Sequence, residues 1–292
     1  MAIDITALYC CLDDFCKVFE EWEAHRLIPS EQTRKRSGKL SGSEMLFIMV
    51  LFHLSPYKNF KTFYLYGIGC QHRACFRDLP HYDRFVSLMP RLFAPLMVLL
   101  HSLSGEETGV YFADPSKLAV CHNCRIHSHQ VFDGMAARGK TSTGWFFGLK
   151  LHVVINHKGQ IMALKITPGN TADSAVLDEI TRHLTGKLCA DKGYIGRELF
   201  NKLWQRGLHL ITGIRRNMRN HLMLLGDKIM LRKRFVIETV FDILKCEMGL
   251  EHSRHRSPVN AMVHVLSCLV AYADRPGKPS ISLRAQRIAA YP

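Results

Sequence analysis

Three acidic side chains, Asp114, Asp191 and Glu238, stand in surroundings that point to chemistry. Asp114 closes the apolar run "GVYFAD", Asp191 closes "KLCAD", and Glu238 lies inside "RKRFVIETVFDILK". Counting about 100° per residue from Glu238, the residues Ile237, Phe241, Leu244 and Met248 fall between about 60° and 120°, a coherent apolar face, while Arg234 and Lys245 lie within roughly 40° of the glutamate. The carboxylate thus rides the rim of a buried stripe, in line with two cations. An ordinary i,i+4 pair between Arg234 and Glu238 on a solvated face explains the same spacing without chemistry. The spacing becomes specific if the three acids meet. Clustered carboxylates repel, and without a counterion at least one holds a proton. Oxygen-only ligands suit Mg²⁺, with Mn²⁺ expected to substitute. Two such ions about 4 Å apart activate an attacking hydroxyl and stabilise the leaving oxygen of an in-line phosphodiester displacement. Lys245, about two helical turns beyond Glu238, and Arg234 would then hold phosphates, or Arg234 would orient the glutamate.

The elements around these residues are such that they can meet. "GVYFAD" reads as a short strand ending on Asp114, which Pro115 biases towards extended geometry. "WFFGLKLHVVIN", the turn "HKGQ" and "IMALKIT" read as a hairpin. A helix follows in "PGNTADSAVLDEITRHL", with Thr171 or Asp173 as N-cap; then come the strand "KLCAD", the helix "GRELFNKLWQR", the strand "HLITGI" and the helix of Glu238. The order β-β-β-α-β-α-β-α, with right-handed crossovers, places the fourth strand beside the first. Asp114 and Asp191 become neighbours, and the helix bearing Glu238 leans over both. The expected fold is α/β, a mixed five-stranded sheet flanked by helices. It follows a helical front, residues 1–105, in which Ser41 and Glu44 form a capping-box pattern ahead of "MLFIMVLFHL". The expected domains are 1–105, 106–273 and a flexible tail, 274–292.

Charge narrows the partner. The chain of 292 residues carries a formal net charge of +14. Residues 1–105 hold 12 basic and 10 acidic side chains, whereas residues 106–292 hold 27 and 15, so nearly all the excess lies in the second part. Arg215, Arg216 and Arg219 in "RRNMRN", then Arg254 and Arg256 in "SRHRS", form clusters suited to a polyanion such as a nucleic acid backbone. The longest apolar runs are near ten residues, short of the roughly 20 needed to span a bilayer. Ten scattered cysteines without a secretory signal read as reduced thiols in a soluble, cytoplasmic protein.

Together, "SEMLFIMVLFHLSPYKNFKTFY", "VCHNCRI", "GWFFGLKLHVVINHKG", "TPGNTAD", "DKGYIG", "RFVIETVFDILK" and "HSRHRS" resemble the DDE transposases of bacterial insertion sequences, most closely the insertion-sequence-982 family, over residues 1–273. The resemblance implies a ribonuclease H-like catalytic core, Asp114, Asp191 and Glu238 as metal-binding catalytic acids, DNA ends and target DNA as partners, and a homodimer or higher oligomer on DNA. A signature of related elements, Y-x2-R-x3-E-x6-K, matches at Arg234, Glu238 and Lys245, with Leu231 in place of the tyrosine. Pro115 stands where the family more often has serine. A structure-specific endonuclease or resolvase is the alternative that uses the same acids.

Other residues carry rival readings. Cys121, Cys124, His127 and His129 in "CHNCRIHSH" offer soft zinc ligands, but the spacing is not that of a finger. Asp173 reads as a helix cap before a fourth metal ligand. Asp242 competes with Glu238, but pairing with Lys245 or Arg234 is the simpler expectation. Trp145 is expected to be buried in the sheet, with base stacking as the alternative.

Overall fold

The computed structural model describes residues 4–25, 38–142, 144–216, 218, 222–251 and 255–282. They fall into two compact units, one of Met1–Leu103, Cys246–Leu250 and Arg256–Asp274, the other of Ser104–Lys245, Glu251–His255 and Arg275–Pro292.

The first unit is helical in its described residues: α1 (Ile5–Ala24), α2 (Gly42–Leu54), α3 (Phe60–Thr62, continuing as a π-helical Phe63–Gln71), α4 (Tyr82–Leu88), α5 (Phe93–Ser102) and the late helix Pro258–Asp274. The capping box starts α2, with Glu44 N donating to Ser41 Oγ (3.1 Å) and Ser41 N donating to Glu44 Oε2 (2.7 Å). The late helix was expected in the second domain. It packs instead against α2 and α5, because an almost continuous run from Ala261 to Tyr272 is buried and needs partners on more than one side. One helical stretch is longer than the apolar runs it contains. The helical run Tyr82–Ser102 is 21 residues long and holds an 18-residue window of mean hydropathy 1.4, enough by length and composition to cross a membrane. It carries Asp83, Arg84 and Arg91, and buries Phe85, Leu92, Leu96 and Leu99.

The second unit is built on a six-stranded mixed sheet: β1 (Val110–Cys121), β2 (Ala137–Thr141), β3 (Gly144–Asn156), β4 (Ile161–Pro168), β5 (Gly186–Ala190) and β6 (Leu208–Thr212). One edge of β3 is antiparallel to β1; its other edge takes β4 along residues 149–155 and β2 along residues 144–148. β5 lies parallel to β1, and β6 parallel to β5. The order β4-β3-β1-β5-β6, with helices α6 (Asp173–Ile180) and α7 (Arg197–Gln205) in the parallel crossovers, is the expected ribonuclease H-like arrangement. Strand β2 makes the sixth, where five were expected. Tyr111, Val154, Leu177, Leu188, Leu203 and Leu208 share one core, so the central strands are covered by helices and read as apolar runs in sequence. Helices α8 (Leu225–Arg232) and α9 (Phe235–Asp242) follow β6, and a π-helical turn, Ile243–Glu247, continues α9. The tail expected to be flexible is tied down in its described part: Ile281 is buried and its N–H donates to His157 O at 2.8 Å.

Candidate active site

The parallel ladder between β1 and β5 runs from Val110 opposite Lys187 to Ala113 opposite Ala190. Asp114 and Asp191 are therefore the next residue on each of two adjacent strands. The sequence placed Asp114 at a strand end, but β1 continues to Cys121 paired with β3 alone. Pro115 is tolerated there because β5 has already ended, leaving an edge where a missing N–H breaks no ladder. Asp191 leaves its strand and opens the short turn Lys192–Tyr194. The segment bearing Glu238 is two helices and not one. Lys233 (φ −80°, ψ 0°) ends α8, and Arg234 stands just before α9. Ile237, Val240, Phe241 and Leu244 are buried, as the spacing predicts, and Glu238 keeps 55% of its side chain exposed.

All three acids and Arg234 line one cleft of about 730 Å³, together with Lys117, Lys140, Lys150, Asp173 and Tyr194. Arg234 ties two of the acids together. Its Nη1 donates to Asp114 Oδ1 at 3.2 Å and its Nη2 to Glu238 Oε1 at 2.8 Å. The expected i,i+4 pair is therefore present, but as half of a fork whose other half reaches a strand 120 residues earlier. Burial pushes the Asp114 carboxyl up to about 7; the Arg234 guanidinium lowers it, and the charges of Asp191, Glu238 and Asp173 raise it further. Tyr194, buried beneath the cleft, has its phenol pushed up first by burial and then by Asp173, Asp114 and Asp191. The negative charges of four carboxylates thus act on one small volume.

Asp173 does not cap α6; Ala172 holds that position, and Asp173 accepts from Lys150 Nζ at 2.9 Å. Lys150, mostly buried, also donates to Thr171 O at 2.9 Å. The pair escaped the sequence reading because Lys150 interrupts an apolar strand that otherwise reads as core. Its one available signal was a lone lysine at an inward-looking position of "GLKLHVV".

The other expected contacts disperse. Lys245 does not line the cleft: its Nζ donates to Lys117 O (2.8 Å) and pairs with Glu251 (3.4 Å). The i→i+5 turn at Ile243–Glu247 changes the angular step on which its alignment with Glu238 rested. Asp242 is exposed, and neither expected partner takes it, since Arg234 holds Asp114 and Glu238 and Lys245 holds Glu251. Arg215 and Arg216 are exposed, and Arg215 Nη2 donates to Lys192 O at 3.2 Å, next to Asp191. Arg256 belongs to the helical unit, whereas Arg219 and Arg254 lie outside the described residues. Cys121 and Cys124 are unpaired, and among the described residues no three His, Cys, Asp or Glu converge closely enough to hold a metal ion as they stand. Trp145, expected in the core, is 51% exposed.

The profile described as a transposase DDE domain matches residues 104–258, which hold all three acids. The chain belongs to this family of DDE-domain transposases. A solved piggyBac transposase synaptic complex with hairpin DNA aligns over 93% of this transposase and 74% of its own chain, at 9% identity and a TM-score of 0.52, a likeness of fold. The mariner Mos1 paired-end complexes with Mg and with Mn align over 89% and 88% of the chain and 86% of their own, at 12% identity, with TM-scores of 0.23 and 0.25. No curated protein sequence matches this transposase.

Proposed function

We propose that this protein is the transposase of a bacterial insertion sequence of the 982 type, acting in the cytoplasm on DNA as a dimer or larger assembly, and that it cuts the ends of its element and joins them to target DNA. The observation that carries the reading is the cleft shared by Asp114, Asp191 and Glu238, in which one guanidinium links Asp114 to Glu238.

The donor set fits a divalent cation. The carboxylates supply only oxygen, as Mg²⁺ and Mn²⁺ prefer, and four of them, Asp114, Asp173, Asp191 and Glu238, line the one cleft. Asp114, Asp191 and Glu238 would hold one or two ions, with Arg234 giving up part of its fork. Bound ions supply activation of the attacking oxygen and stabilisation of the leaving one. The chain's own groups do the rest. Arg234 orients Glu238, while Lys150, fixed by Asp173 and Thr171, and Lys140 present positive charge to phosphates along the cleft wall. Arg215 and Arg216, with Arg219, Arg254 and Arg256, would add salt-sensitive contacts to the DNA backbone, and the helical unit would recognise the element's ends.

The test incubates purified protein with labelled DNA carrying the element's ends, in Mg²⁺ or Mn²⁺, and resolves nicked and joined products. The proposal expects both, and expects Asp114→Asn, Asp191→Asn and Glu238→Gln each to abolish them while end binding persists. Nicking without joining would favour the endonuclease reading, and products unaffected by all three substitutions would refute the site.

A further inference from the structure

The hairpin of β2 and β3 has a face that adjoins the cleft and carries an exposed indole, Trp145, to which the cleft chemistry gives no role. Along β2, Arg138 and Lys140 point outward and are exposed, while Gly139 between them is buried. Across the ladder Lys140 pairs with Trp145, so all three side chains share one face. The guanidinium carbon of Arg138 lies 4.7 Å from the Trp145 ring centroid, and Nζ of Lys140 lies 5.6 Å from it. Asn123 Nδ2 fixes the strand by donating to Trp145 O at 2.8 Å. An indole held by its backbone and by two cations over its ring, yet half in solvent, is a stacking surface with phosphate-binding charge beside it. Lys140 also lines the cleft of the three acids, so this surface adjoins the acidic site.

From these observations we infer that Trp145, with Arg138 and Lys140, holds an unpaired nucleotide of the DNA strand entering the cleft: the base stacks on the indole and the flanking phosphates lie on the two cations. Aromatic faces accept any base, and the paired cations favour a nucleic acid strand over an uncharged ligand. The inference rests on the DNA reading of the cleft and adds to it a reason for a frayed or single-stranded end to remain beside the acids. Trp145 is a positioning residue here and touches no reacting atom.

The chain has three tryptophans, and the other two, Trp22 and Trp204, are exposed and accept phenylalanine, so the Trp22→Phe/Trp204→Phe protein reports on Trp145 alone. Its emission is titrated with a blunt duplex and with the same duplex bearing a short single-stranded tail. Stacking predicts strong quenching by the tailed DNA and little by the blunt one. In otherwise wild-type protein, Trp145→Ala should bind the tailed duplex about tenfold more weakly and the blunt duplex within about twofold, while Trp145→Phe restores most of the loss. Equal quenching by both DNAs, no quenching by either, or equal effects of Trp145→Ala on both would overturn the inference. Cleavage is scored separately: end cutting without tail preference removes the stacking role and keeps the transposase reading. Tail stacking without cutting does the reverse.

Discussion

Arg234 serves two acids at once, and each depends on the planar shape of its fork. Nη1 answers the half-buried Asp114 and Nη2 the more exposed Glu238. A lysine has one point of charge and cannot span both oxygens. Arg234→Lys is therefore expected to behave much like Arg234→Ala, with end cleavage reduced on the order of 100-fold through misplaced acids and a melting temperature close to wild type. A single-turnover cleavage assay beside a thermal melt separates these readouts; full activity of the lysine variant would show that charge alone suffices. At this scale the sequence was partly legible. The acids and Arg234 could be read because each sits at an element boundary or on a helix with a clear apolar face. Asp173 and Lys150 could not, because their pairing crosses from a loop to a strand and leaves no periodic trace.

Lys245 shows how one change of helical step redirects a side chain. In an uninterrupted α-helix it lines up with Glu238; after the π-helical turn it caps Lys117 O and meets Glu251, whose Oε1 in turn accepts from Ala119 N at 3.0 Å. These bonds tie the end of the α9 segment to β1. Lys245→Ala should consequently lower stability by about 1 kcal/mol in denaturant melts and leave cleavage within about threefold. A loss on the order of 100-fold with an unchanged melt would restore the phosphate contact expected from sequence. The elements legible in advance were those with strong local signals: the Ser41 capping box, the long β3–β4 hairpin and the apolar β5 and β6. Strand β2, "ARGKT", carries no alternation of apolar residues and exists because Gly139 lets it approach Gly169 closely; a Cβ at that position would lie 2.2 Å from Gly169 O. The continuation of β1 past Pro115 was hidden for a similar reason, since proline marks a strand end in sequence and only the absence of a neighbouring ladder permits it here.

At the scale of the molecule, the chain is two units whose segments interleave in sequence, and each carries its own test. In the helical unit, burial pushes the imidazole of His53 down to about 4, with its Nδ1 2.7 Å from Met248 O and its Nε2 3.1 Å from Ser267 Oγ. Between about pH 4 and 6.5 the unfolded chain binds a proton there that the native fold refuses, so stability rises with pH through that window and is lost as pH falls across it. Chemical denaturation at several pH values should show this slope in wild type and a flatter one in His53→Gln; parallel slopes would place the acid sensitivity elsewhere. Interleaving also explains why the late helix groups with the helical unit and not with the sheet that precedes it in sequence. The late helix Pro258–Asp274 follows the sheet unit in sequence, but its partners α2 and α5 lie far upstream. In the sheet unit, Asp114, Asp191 and Glu238 are proposed to surround one cation site, and iron-directed cleavage of the chain can map that site. Fe²⁺ bound in place of Mg²⁺, given ascorbate and peroxide, cuts backbone only near itself, so the fragments report which residues surround the ion. Cuts are expected to cluster around residues 114, 191 and 238, to be suppressed by excess Mg²⁺ and to be absent in Asp114→Asn. Cuts elsewhere, or an identical pattern in Asp114→Asn, would contradict it.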